Sequence, residues 1–108
     1  MLFRSVLVRF LRQTLRAAEW AKTNLQGVRE ILQSETGASA ESVAAAYRDG
    51  FHRSLAPELS AERLDLLRQQ KDYLLAFGVL DRDFDFDAWV DPRPLADAVR
   101  SLQSVRAA

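Results

Sequence analysis

Helix stops and caps cut this chain at fixed places, and that punctuation limits it to a row of short helices. Between Glu35 and Ala98, Thr36-Gly37 ends one helix, Ser39 caps the next, and Ser60 opens a Leu-rich helix that Gly78 stops; the run Asp81-Arg-Asp-Phe-Asp-Phe-Asp-Ala-Trp-Val-Asp-Pro follows. Ser, Asn and Asp accept hydrogen bonds from amides that a first helical turn leaves unpaired, and Gly adopts at little cost the left-handed conformation that ends a helix.

Apolar residues recur at three-and-four spacing between these marks. Over residues 6–22, Leu7, Phe10, Leu11, Thr14, Ala17, Ala18 and Ala21 share one face, and Arg9, Arg12 and Arg16 share another. Asn24 is placed to cap a second helix over 25–36 that buries Val28, Ile31 and Leu32, with Gly27 weakening its first turn. A third helix over 40–50 carries Val43, Ala46 and Tyr47, has Glu41 against the positive end of its dipole, and closes at Gly50. The fourth, 61–77, presents Leu64, Leu67, Tyr73, Leu74 and Phe77. Asp91-Pro92 starts a last helix over 92–102 through Leu95, Val99 and Leu102, with a frayed tail after Ser101. Residues 79–91 alternate apolar and acidic side chains, but Asp81, Asp83, Asp85 and Asp87 disfavour a strand, so this stretch reads as an acidic connector anchored to the core by Phe84, Phe86 and Trp89. The expected fold is all-α, four to five short helices in a single unit spanning 1–108.

With 108 residues the chain has the size of one small domain with one core. Fifteen basic side chains offset 15 acidic ones, so no overall cationic field draws it to a polyanion. The absence of cysteine excludes disulfides, thiolate nucleophiles and Cys-based metal sites. Arg4, Arg9 and Arg12 interrupt the N-terminal apolar run before it reaches the length of a signal, and no run approaches the roughly 20 residues of a membrane span.

No catalytic, cofactor or metal site follows from these residues. An EF-type calcium loop counted from Asp83 places Ala88 where Gly is needed and Pro94 where the bidentate Glu belongs; counted from Asp81 it places Phe86 and Pro92 there. His52 is the only histidine and has neither a metal-ligand partner nor a nucleophile motif beside it. It reads as a surface or loop residue whose substitution by Ala leaves folding unchanged. The paired carboxylates lie among arginines and read as solvent-facing ion pairs. The basic first helix could lie on a membrane surface, but its small-residue stripe fits helix packing better. A helix-turn-helix over Val28 to Arg48 has the right spacing, yet its second helix would present Glu41, Ala44 and Ala45 where DNA readers need Arg, Lys, Asn or Gln.

Taken in order, Phe10-Leu-Arg-Gln-Thr-Leu-Arg-Ala-Ala-Glu-Trp-Ala, Asn24 with Val28-Arg-Glu-Ile-Leu, Glu35-Thr-Gly, Leu59-Ser, Gln70-Lys-Asp-Tyr-Leu, Phe77-Gly-Val-Leu and Ala88-Trp-Val-Asp-Pro resemble the C-terminal region of solute-binding proteins of ABC importers, the nitrate, sulfonate, taurine and thiamine-precursor group. In that family the Asn opening the second helix is often followed by Pro; here Leu25 follows Asn24. The resemblance implies the C-terminal helical part of a type II periplasmic binding protein, a fragment or truncated relative of an uptake component. It implies a periplasmic setting in the full-length context, whereas these 108 residues, without a signal, would stay cytoplasmic. The family's pocket lies between two α/β lobes whose strands these residues do not contain, so no ligand residue is carried over and no solute binding is expected alone. The helices would cover a sheet of one lobe, leaving an apolar surface around Phe10, Leu11, Leu64, Leu67 and Trp89 for those lobes or for another copy of the chain, with an ABC permease as partner only in the full-length context. The alternative is a stand-alone helical interaction module or a helix-turn-helix-like DNA-binding protein.

Overall fold

The computed structural model describes residues 2–48 and 50–107, and among them only helices and turns occur, with no strand. The order is α1 (Leu2–Lys22), α2 (Leu25–Thr36), α3 (Ala40–Ala46), a 3-10 turn (Phe51–Arg53), α4 (Ala61–Ala76), α5 (Phe86–Trp89) and α6 (Arg93–Ala107). The all-α expectation holds.

Four of the sequence's stop and start signals act as anticipated, Gly78 among them, at φ 73° just past the end of α4. Gly37, at φ 71°, ends α2 with its amide donating to the Gln33 carbonyl at 2.9 Å. The Ser39 and Ser60 hydroxyls accept from the amides of Ser42 and Arg63 at 3.1 and 3.2 Å. Other local expectations fail for identifiable reasons. Asn24 does not cap α2: its Nδ2 donates to the Trp20 carbonyl at 2.7 Å, so it completes the end of α1 instead. α1 begins at Leu2, before Val6, because nothing in the preceding residues breaks the helical pattern. α3 stops at Ala46, well short of Gly50; Tyr47 turns extended and its ring meets Phe51 at 5.0 Å, while Gly50, at φ 92°, leads into the 3-10 turn. The connector contains a helical turn, α5, because the Asp85 carboxylate accepts from the Ala88 amide at 3.2 Å. α6 continues past Ser101 to Ala107.

The packed body forms around α1, which lies along α6, along α2 and against the 3-10 turn, while α2 lies along α3. Ala18 and Ala21 on α1, Val28, Val43, Ala98 and Leu102 are buried. Ala98 is fully enclosed, and small side chains at such contacts let two helix axes approach closely. Gly27 belongs to the same logic: a Cβ there would stand 2.7 Å from Cη2 of Trp20, so the glycine that weakens the first turn of α2 admits the indole. At the rim, Arg4 holds Asp97 across α1 and α6 at 2.8 Å.

The second region is an arm made of α4 and the connector. α4 has no buried residue, and none of α1, α2, α3 or α6 packs along it. The radius of gyration is therefore 17.4 Å, against about 13 Å for a compact domain of this length. The accessible surface is 8373 Å², against roughly 6,100 Å² for a compact monomer of 12.2 kDa.

Candidate interaction surface

α1 carries two apolar rows. Val8 and Leu15, with Leu11 between them in the same row, border α6 beside Asp97, Val99 and Leu102. The other row, Phe3, Leu7, Phe10, Thr14, Ala17 and Ala21, repeats at the four-and-three spacing that keeps side chains on one line of a helix. Its upper half is uncovered: Phe3 is 90% and Phe10 66% exposed. Its lower half forms the wall of an open apolar groove of about 370 Å³ that Val28, Ile31, Leu32 and Leu55 complete.

α4 also has two faces. On the inner one, Leu67, Leu74, Leu80, Phe84, Phe86 and Trp89 line a shallow trough. Phe86, the one deeply buried residue of the arm, lies under the Arg68 guanidinium, whose carbon is 4.9 Å from the ring centroid. Arg68 donates to Asp87 at 2.6 Å, and Lys71 donates to Asp83 at 2.8 Å. The hydrogen bond from Lys71, helped by the Phe84 amide, holds the pKa of Asp83 below its ordinary value, and the hydrogen bonds to Asp83 and Asp72 hold that of Lys71 above its own. The outer face shows Leu66, Tyr73 and Phe77 to solvent, the two rings 4.4 Å apart, with Phe77 67% exposed.

The residues singled out from sequence divide between these places. Leu67 and Trp89 share the inner trough, Leu64 is half-buried, and Phe10 and Leu11 sit on different rows of α1. Trp89 and Phe84 do not anchor the connector to the main core: Trp89 is 64% exposed, and only Phe86 is buried, against α4. Sequence reasoning missed Phe3, Leu66 and the outward direction of Tyr73 and Phe77. The row could have been extended to Phe3 by spacing, whereas nothing local tells which face of α4 lacks a neighbour.

His52 is the clearest correction. It lies in the 3-10 turn against α1, only 6% exposed, edge-on to Phe51 at 6.2 Å, and its Nδ1 has no hydrogen-bond partner. The turn seats it inside because Gly50 permits the sharp entry; a single-residue pattern offers no such signal. The aspartate run is occupied by Lys71, Arg68 and the α5 cap, and among the described residues no cluster of His, Asp and Glu is placed to hold a metal ion. α3 has seven residues and turns Glu41, Ser42, Ala44 and Ala45 outward. No described helix is long and apolar enough to cross a membrane.

Comparison of the chain with protein families, with curated proteins and with solved structures returns no match.

Proposed function

We propose that this chain is a non-catalytic helical covering unit, whose apolar faces are completed by another polypeptide surface. One observation carries the proposal: the chain exposes roughly 2,300 Å² more than a compact monomer of its mass, and the exposed residues include organised rows on α1 and α4. Removing apolar surface from water contributes about 25 cal/mol per Å², so rows of this size favour association even after the cost of lost freedom is deducted.

The resemblance to the C-terminal helices of nitrate-, sulfonate- and taurine-type solute-binding proteins supplies the concrete form of this role. There the helices lie over an α/β lobe, and the activity would be uptake of a small solute by the whole assembly. On this reading the chain binds no solute by itself, and calorimetric titration with nitrate, taurine or a pyrimidine is silent; a micromolar response contradicts it.

The covering role has its own test. At submicromolar concentration the chain should brighten the hydrophobic dye ANS, and the Phe3→Ser, Phe10→Ser, Phe77→Ser variant should lose most of that signal while keeping its far-UV circular dichroism. A wild-type chain that leaves ANS dark overturns the proposal.

A further inference from the structure

The exposed row of α1 is complementary to itself. Its positions are Phe3, Leu7, Phe10, Thr14, Ala17 and Ala21, bulky in the first half and small in the second. The bulky half stands free, with Phe3 and Phe10 mostly exposed. The small half is the floor of the open apolar groove, whose other wall is Val28, Ile31 and Leu32 of α2. Two such rows laid antiparallel share a single register in which Phe3 stands level with Ala21, Leu7 with Ala17 and Phe10 with Thr14. Every layer of that pair joins a large side chain to a small one. A parallel pair would set Phe3 on Phe3 and Ala17 on Ala17, crowding one end of the seam and leaving the other unfilled.

We infer that α1 of one copy docks antiparallel in the groove of a second copy, and that the second copy's α1 does the same in return. The arrangement is two-fold, so each layer occurs twice and the assembly closes. The seam carries no charge. Arg9, Arg12 and Arg16 lie about 120° or more round the helix from the row, while Arg4 and Lys22 are held by Asp97 and Glu19 of their own chain. On the side of the row away from Arg4 and Leu11 stand Val6, Gln13 and Trp20, and the same register brings Val6 beside Trp20 of the second copy and Gln13 beside its own counterpart. Phe3, Phe10 and Trp20 are about half to nine-tenths exposed, and Val6, Leu7, Ile31 and Leu55 about half. An enclosed aromatic side chain buries about 150–250 Å², so these residues offer on the order of 700 Å² per copy, close to the roughly 800 Å² per partner of a stable interface. The inference rests on the covering role proposed above and names the partner of α1.

Sedimentation equilibrium on the 108-residue chain tests it with wild type, Leu7→Ala and Ala17→Leu, both positions being exposed on α1. Wild type should be a dimer. Leu7→Ala leaves two small side chains in one layer and Ala17→Leu puts two large ones there. Each alone should therefore weaken the dimer about tenfold or more while retaining wild-type circular dichroism. An equimolar mixture of the two should restore a dimer with one chain of each kind, because every layer of the mixed pair again joins one leucine to one alanine. The chain carrying both changes should dimerise by itself for the same reason. Wild-type monomer, a dimer indifferent to both single variants, or single variants that stay monomeric when mixed would each overturn the inference. A monomer that brightens ANS refutes this pairing and leaves the covering role standing; a monomer that leaves ANS dark refutes both.

Discussion

The body and the arm use the same kind of helix to different ends. α1 and α6 lie along each other with Ala18, Ala98 and Leu102 buried in the body, whereas α4 meets its connector mainly through ions and rings, Lys71 with Asp83 and Arg68 with Asp87 and Phe86. Exposed ion pairs contribute little and packed apolar contacts contribute much, so the body should hold its shape alone and the arm should depend on what covers it.

The largest expected contrast comes from truncating one buried side chain in each region. Leu102→Ala should cost about 2–5 kcal/mol, enough to lower Tm by roughly 10 °C or more. Phe86→Ala should shift Trp89 emission while the main thermal transition stays in place. Equal losses of Tm would mean that the two regions melt as one.

His52 sharpens the account of the body. Removing a buried ring leaves a cavity, so His52→Ala should cost about 1–3 kcal/mol in chemical denaturation, contrary to what its sequence context suggests. His52→Leu should be at least as stable as wild type, because it fills the space without burying the unpartnered Nδ1.

Gly37 and Gly78 form a matched pair, with φ of 71° and 73° at the ends of α2 and α4. An alanine in that conformation costs about 1–2 kcal/mol locally. Only Gly37→Ala should lower the main Tm; Gly78→Ala should show as loss of helix signal ahead of it.

Acid should give the smallest effect and separate the regions again. The Lys71 hydrogen bond holds Asp83 below the usual carboxylate range, so its contribution is present above about pH 4 and is lost as pH falls through the lowered folded value. Asp91, lowered to about 2 by Arg93, and Asp97, lowered by Arg4, follow the same sign at the start of α6. In a Trp20→Phe background, Trp89 emission should change between pH 4 and 2 while far-UV circular dichroism from the packed body persists.

How far the sequence could be read follows from the range of the forces involved. Ser39, Ser60, Gly37 and Gly78 act within one turn of helix, and each does in the fold what its position implies. Asn24 had two amide and carbonyl ends within reach and took the α1 side, a choice that depends on how α1 and α2 cross. The burial of His52 and the exposure of Tyr73 and Phe77 depend on neighbours far along the chain, and apolar periodicity reports that a face exists without saying what lies over it. For the same reason the row from Leu7 to Ala21 is legible as a packing face and its missing neighbour is not.

The central claim is that α4, apart from its own connector, packs along no other helix of its chain. Hydrogen–deuterium exchange followed from nanomolar to high micromolar protein tests it most directly. The amides of residues 61–76 should exchange rapidly at every concentration, while those of α1 and α6 stay protected throughout. Protection of α4 equal to that of α6 at every concentration would contradict the account.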